Sequence, residues 1–201
     1  PWSGPVPLLG AGDPTVVSVL GVSRGFLDVL GVAPFLGRDF AADENALGGP
    51  DVAMVDHAFW STRLGANPEL EELRFTLFGA TYQVVGVLPP GFRFLHEADV
   101  YIPDERWPNT VRSSHAHRVV GRMAEGVTRK GAKDDLDRLA AGINEAFPGE
   151  SQAEEVQVRP LDEVVLGDHR RPLGLLLGAS ALVLLLACAN VASTLLARGA
   201  T

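Results

Sequence analysis

The stretch of sequence that most constrains this chain is its last one, an uncharged run from Leu173 to Ala197. A bilayer core about 30 Å thick is crossed by roughly 20 apolar residues, because a helix rises about 1.5 Å per residue. The run holds 25 residues and therefore predicts a membrane-spanning helix at 172–198. A helix buried in a soluble core is the alternative, but such helices usually carry a polar stripe. Here Asn190 is the only strongly polar side chain.

The rest of the chain is then expected to fold as a domain at a membrane surface. Before the run it carries 16 Lys and Arg against 25 Asp and Glu. This acidic balance argues against binding to nucleic acid and against docking on anionic lipid. The single cysteine, Cys188, lies inside the run, so no disulfide forms within the soluble part. Arg170 and Arg171 precede the run and Arg198 follows it, which leaves the orientation open.

Hydrophobic periodicity and turn residues predict an α+β domain. Residues 1–14 are rich in Pro and Gly and are expected to be irregular. The strands are predicted at 15–22, 51–56, 98–104, 117–123 and 155–161, with a β-hairpin within 73–88 that turns around Phe78-Gly79-Ala80. Helices are predicted at 23–31, capped by Ser23 and ended by Gly31, at 57–65, and at 128–147, capped by Thr128. The strands at 117–123 and 155–161, with the helix between them, form a predicted βαβ unit. Because the chain does not begin with Met, we expect a fragment with a further span upstream.

Few residues point to chemistry. His115 and His117 could present two metal ligands on one side of a strand, although no third ligand stands at a telling spacing, and a solvated loop is the alternative. Asp56 and His57 could form a base with its orienting carboxylate, although Asp56 more simply caps the following helix. The sequence has neither a phosphate-binding loop nor a Gly-x-Ser-x-Gly motif. We therefore expect no catalytic residue, no cofactor and no metal.

Seven strings occur in a fixed order along the chain: VSRGFLDVLGVAPFLGRDF, VAMVDHAFWSTRLGANP, YQVVGVLPPGFRF, ADVYIP, HRVVGRMAEGVT, VRPLDEVVLGD and LLLACANVASTLLAR. With them, residues 15–201 resemble the periplasmic core domain of MacB-type, FtsX-family ABC transporter permeases. The variety called acidobacterial duplicated orphan permeases is the most similar. Two departures lie in turns: Glu71-Glu72 replaces the family's usual Gly-Lys or Gly-Arg, and Ala124-Glu125 replaces its frequent Lys-Pro.

The resemblance implies a two-lobed periplasmic core domain followed by a C-terminal transmembrane helix. Residues 1–35 and 109–171 would form a porter-like βαβ lobe with a truncated N-terminal part, and 36–108 an inserted, mostly-β lobe. Residues 1–171 would lie on the periplasmic side of the bacterial inner membrane. Such a permease is not an enzyme; a cytosolic ABC ATPase drives it, and its other implied partners are a second permease copy or half and membrane lipid. Motion would be transmitted to the domain, which exports or extracts a substrate outside the membrane.

Two places in the sequence suit this role. Gly167, Asp168 and Pro172 lie at the junction between the last predicted strand and the span, where displacement would be transmitted. Asn190 would bond either to a neighbouring helix in the membrane or to its own backbone. Two rival functions are a membrane-anchored binding or sensor module without an ATPase partner, and a tethered hydrolase that uses Asp56, His57 or the histidine pair.

Overall fold

The computed structural model describes residues 3–94, 97–105, 118–149 and 156–199, without the side chains of 3, 166–173, 191–197 and 199. The chain divides into two compact units, Pro1–Val156 and Gln157–Thr201. In its described residues the first unit contains a curled mixed sheet, three α-helices and a short 3-10 helix at Leu70–Glu72. The second contains one long helix.

The described part of the first unit has seven strands, in the sheet order β1-β2-β7-β4-β6-β3, with β5 also paired to β6. The strands are β1 Ser3–Leu8, β2 Thr15–Val22, β3 Leu36–Gly37, β4 Val52–Val55, β5 Arg74–Leu77, β6 Ala80–Val87 and β7 Val100–Pro103. The pairs β2–β7 and β4–β6 are parallel, and the other pairs are antiparallel. The sheet curls until Leu9 and Thr76 exchange backbone hydrogen bonds of 3.1 and 2.7 Å.

Apolar residues cover both faces of this sheet. Inside the curl, the helix α2 His57–Arg63 packs Phe59 and Trp60 against the inward side chains of the strands. On the other face, the short helix α1 Phe26–Leu30 buries Leu27 beside Met54 and Tyr101. Because both faces are covered, β4 and β7 are buried along their whole length, which explains their continuous apolar sequences.

Most elements predicted within residues 15–104 are confirmed. The strands at 15–22, 51–56 and 98–104 appear as β2, β4 and β7, and the predicted hairpin is β5–β6. Its two-residue turn places Phe78 and Gly79 at φ 52° and 80°, as the favoured hairpin turns require. Helix α1 ends at Gly31 as predicted, but it begins after Gly25 and receives no side-chain cap from Ser23.

Three local predictions are wrong. Residues 3–8 form strand β1, because the antiparallel pairing with β2 satisfies their backbone despite the prolines. Residues 118–123 and 156–160 form no strand, so the two predicted strands and the βαβ unit are not present in the described residues.

The predicted division into two lobes concerns the same sheet. The pairing of β2 with β7 places strands from 1–35 and 36–108 in one sheet. The division into two lobes at these boundaries stays a prediction.

The helix α3 Arg129–Ala146 is confirmed, with Thr128 as its N-cap. The Thr128 hydroxyl accepts a hydrogen bond of 3.1 Å from the Gly131 amide. None of its side chains is buried: Leu139 is 63% exposed and Ile143 is 46% exposed. Its amphipathic pattern therefore produces a helix whose apolar face is not covered by the described residues.

The second unit contains helix α4 Leu161–Gly199, which is 39 residues long. The helical backbone begins at Leu161, the last residue of the strand predicted at 155–161, and it continues through Gly167 and Pro172. The leucines of its middle part are exposed, Leu175 by 77% and Leu177 by 78%. A membrane-crossing helix, sufficient in both length and apolar character, is not found among the described residues.

Candidate functional site

A cavity of about 230 Å³ opens beside α1, where the parallel strands β2 and β7 end. In sheets with parallel strands, ligands commonly bind outside the carboxyl ends of the strands. The Asp104 amide donates a 3.0 Å hydrogen bond to the Val22 carbonyl and fixes these two strand ends together. The apolar part of the wall includes Val22, Phe26, Val29, Leu30, Phe94 and Val119.

Helix α1 forms one wall of the cavity, and its position is fixed at both of its ends. Gly25 and Gly31 take left-handed conformations, with φ of 76° and 70°, which glycine adopts without steric cost. The Arg122 guanidinium donates hydrogen bonds of 2.8 and 3.2 Å to the Val29 carbonyl. These bonds satisfy a carbonyl in the last turn of the helix and tie residues 118–123 to α1. We call residues 118–123 the strap.

Aromatic rings support the cavity. The Phe26 ring lies edge-on to Phe94, with centroids 5.3 Å apart, and lies 6.3 Å from the ring of Tyr101. Tyr101 is buried beneath them, and burial raises the pKa of its phenol. This hydroxyl therefore stays neutral at physiological pH, and the wall around Phe26 is apolar and uncharged.

The charged residues of the cavity are Arg24, Asp104 and Arg118. Asp104 turns its carboxylate toward the backbone of Gly21, whose missing Cβ would lie 2.7 Å from Oδ1. Arg24 and Arg118 are exposed, and among the described residues neither takes part in a hydrogen bond or an ion pair. The site thus combines an apolar wall with two arginines that remain available to an anion.

A family model confirms the resemblance over the first two thirds of the chain. Residues 2–139 match the model of the MacB-like periplasmic core domain, which is more than half of the chain. The chain belongs to the MacB-like periplasmic core domain family. A search of curated protein sequences finds no significant match.

Two solved structures share the fold of this MacB-like domain. The periplasmic region of MacB from Actinobacillus actinomycetemcomitans is 16% identical at a TM-score of 0.52, over 72% of this chain and 65% of that one. The extracellular domain of the noncanonical ABC-type transporter YknZ from Gram-positive bacteria is 18% identical at a TM-score of 0.50. That alignment covers 74% of this chain and 75% of YknZ's domain. The chain thus spans slightly less than two thirds of the length of the MacB region.

Asp56 and His57 have separate structural roles at the start of α2. The Asp56 carboxylate accepts a 2.8 Å hydrogen bond from the Ala58 amide and caps α2, as the simpler interpretation expected. The His57 ring packs edge-on against Phe35 and Trp60, at centroid distances of 5.0 and 5.4 Å. These contacts account for both residues in the packing of α2.

The other residues singled out from the sequence do not join the cavity. His115 and His117 lie outside the described residues, and within those residues no group of three metal-ligating side chains occurs. Gly167, Asp168 and Pro172 lie on the helical backbone of α4. Asn190 is on the same helix, is exposed and makes an interaction there.

Sequence reasoning missed Arg24, Asp104, Arg118 and Arg122. Arg24 is about 80 to 100 residues from the other three along the chain, and only the parallel pairing of β2 with β7 brings it close to Asp104. A pairing of this kind leaves no local pattern in the sequence. The one available signal was the Pro103-Asp104 end of a strand, which marks a sheet edge.

Proposed function

We propose that this MacB-like domain is the extracytoplasmic part of an ABC transporter permease in the bacterial inner membrane, with α4 crossing the bilayer. Membership of the family supports a transporter component rather than an enzyme. The two similar structures are the periplasmic region of MacB and the extracellular domain of the ABC-type transporter YknZ. In this proposal residues 1–171 face away from the cytoplasm, and the acidobacterial orphan-permease type stays a prediction.

The membrane part of the proposal is supported by sequence and by exposure. The run from Leu173 to Ala197 has no charged residue, and insertion of Asp, Lys or Arg at a helix centre costs about 2.5–3.5 kcal/mol. Its leucines are exposed in the described part of α4, including Leu184 by 66% and Leu186 by 63%. Exposure of leucines on all sides of a helix is favourable in lipid and unfavourable in water.

The single observation that carries the coupling proposal is the continuity of α4. At about 1.5 Å per residue, its 39 residues extend roughly 58 Å, while a bilayer core is about 30 Å thick. The helix therefore exceeds the span by several turns, and Gly167 and Asp168 lie within the extension that ends at Pro172. A stiff extension would carry a displacement from the membrane toward the first unit.

In the proposed mechanism, a cytosolic ABC ATPase moves the membrane helices of a permease dimer or of two permease halves. Helix α4 passes this movement to the extracytoplasmic domain, which then exports or extracts a substrate outside the membrane. Surrounding lipid is a further proposed partner. No cofactor is required in the domain itself.

Coupling is tested by interrupting α4 in the full-length permease, reconstituted with its ATPase in proteoliposomes. A seven-residue Gly/Ser segment is inserted between Gly167 and Asp168, and the matched control receives seven alanines, which preserve the helix over about two turns. A fluorophore on Ser61→Cys, with Cys188→Ala, reports movement of the domain on ATP addition. We expect the flexible insertion to abolish the response while ATP hydrolysis continues, and the alanine insertion to keep it. An unchanged response with the flexible insertion would refute mechanotransmission.

The cavity beside α1 favours a second candidate function, a membrane-anchored binding or sensor module without an ATPase partner. An apolar pocket with a few convergent polar groups is the usual form of a ligand site. The two candidates separate on one experiment: affinity purification of the full-length protein from its native membrane. Recovery of a stoichiometric nucleotide-binding subunit supports the permease, and its absence supports the sensor.

A further inference from the structure

We propose that the cavity beside α1 binds a single-chain amphiphilic anion. The apolar chain would lie against Phe26, Val29 and Phe94, and the anionic headgroup would be recognised by Arg24 and Arg118. This site needs only residues of the first unit. The inference therefore stands independently of whether ATP hydrolysis moves the domain.

The wall of the cavity selects the apolar part of the ligand. Phe26 and Phe94 form one edge-to-face pair, and Val22, Val29 and Leu30 continue the same apolar surface. Removal of an alkyl chain from water into such a surface gains about 0.8 kcal/mol per buried methylene group. The volume of about 230 Å³ lies below the roughly 300–1,000 Å³ of pockets for drug-sized ligands. It therefore suits one chain rather than two.

The charges select the headgroup. Arg24 precedes α1 and Arg118 begins the strap, so the two arginines reach the cavity from separate segments. Neither is paired with an acidic side chain in the described part of the chain, although that chain is acidic overall. Guanidinium groups bind carboxylates and phosphates through paired, charge-assisted hydrogen bonds. A cationic or neutral headgroup would gain nothing from them.

The strap gives the site a defined position for one of these arginines. Arg122 bonds the Val29 carbonyl on α1, and this attachment keeps Arg118 and Val119 beside the cavity. Val119 is 92% exposed, which is unfavourable for a valine in water. A bound alkyl chain would cover part of this side chain and relieve that exposure.

The experiment uses the 201-residue chain in nanodiscs of phosphatidylcholine, a zwitterionic lipid that contributes no net headgroup charge. The probe is a dodecanoate that carries a photoreactive diazirine on its chain, and adducts are mapped by peptide mass spectrometry. We expect saturable adducts on residues 22–30 and 118–123, which unlabelled dodecanoate displaces. Dodecyltrimethylammonium, with the same chain and the opposite charge, is expected to displace the probe at least about tenfold less well.

Variants test the two parts of the site separately. Arg24→Gln and Arg118→Gln should each weaken probe binding about tenfold, whereas Arg63→Gln, an exposed arginine on α2, should leave it unchanged. Val119→Trp should reduce adducts by filling the opening without removing charge. Hydrogen exchange of the β6 amides checks that each variant is folded. Binding by the double Arg24→Gln/Arg118→Gln variant at wild-type strength, or adducts confined to 174–190, would overturn the proposal.

A second competitor identifies the source of the ligand. Lauroyl lysophosphatidylglycerol has a chain of the same length as dodecanoate, but carries the phosphate headgroup of a membrane lipid. Displacement by either compound supports the amphiphilic-anion site. The compound that acts at the lower concentration shows whether the site prefers a free fatty acid or a lysolipid, and displacement by neither contradicts the proposal.

Discussion

The sheet of the first unit and the helix α3 carry equally regular apolar patterns but differ in what covers them. In the sheet, Leu77 and Val55 are completely buried. In α3, no side chain is buried, and Leu139 at the centre of the apolar face is 63% exposed. The difference shows that periodicity determines the type of element and the orientation of its face, while burial depends on a partner surface elsewhere in the chain or outside it.

The largest expected effect comes from a substitution in the hydrophobic core of the sheet. Leu77→Ala removes a fully buried side chain and should lower the free energy of unfolding by about 2–5 kcal/mol, because a cavity remains. Leu139→Ala is the matched substitution on α3 and should change it by less than about 0.5 kcal/mol. Hydrogen exchange of the β6 and α3 amides measures both. Equal losses would mean that α3 is covered by a surface comparable to the core.

Alanine substitutions at two glycines should change the free energy of unfolding in opposite directions. A Cβ at Gly86 would lie 2.4 Å from the Arg38 carbonyl oxygen, so Gly86→Ala should cost about 1–3 kcal/mol through overpacking. Gly142 lies inside α3 with open space where its Cβ would project, so Gly142→Ala should stabilise the helix by about 1 kcal/mol. Thermal unfolding monitored by circular dichroism reports both. Destabilisation by Gly142→Ala would show that this glycine contacts a partner.

The smallest expected effect is on the pH dependence of the free energy of unfolding, and it distinguishes two ion pairs. The Arg38 guanidinium donates hydrogen bonds of 2.7 and 2.6 Å to the Glu44 carboxylate, which is nearly buried and also accepts from the Ala41 amide. Arg38 is the main cause of the lowered pKa of Glu44. Lys133 likewise lowers the pKa of Asp137 on α3, but this pair is half-exposed.

A lowered carboxyl pKa stabilises the fold above the ordinary value, about 4.3 for Glu, and this contribution is lost as the pH falls through the folded-state pKa. Glu44→Gln should therefore cost about 1–2 kcal/mol at pH 7 and reduce the loss of stability as the pH falls below about 4.3. Asp137→Asn should measurably change neither the stability at pH 7 nor its dependence on pH, because exposed ion pairs contribute little. Urea unfolding at several pH values tests this; parallel curves for wild type and Glu44→Gln would contradict it.

The same contrast explains how far the sequence predicted the structure. The hairpin around Phe78 and Gly79, the cap at Thr128 and the stop at Gly31 depend on local backbone rules, and each was confirmed. Strand β1 was missed because its prolines mimic a loop, and only its pairing with β2 makes it a strand. The cavity was missed because the parallel pairing of β2 with β7 joins the distant segments that carry Arg24 and Asp104, while Arg118 is held there by the bonds of Arg122 to Val29.

The central claim is that α4 is exposed to lipid while the first unit is exposed to water. The chain's single cysteine, Cys188, lies within the uncharged part of α4 and is suited to a spin label. In proteoliposomes, we expect the label at 188 to relax with oxygen, which concentrates in lipid, and not with a water-soluble nickel chelate. A label at Ser61→Cys, in a Cys188→Ala background, should show the reverse. Relaxation at 188 by the nickel chelate to the same extent as at 61 would contradict the account.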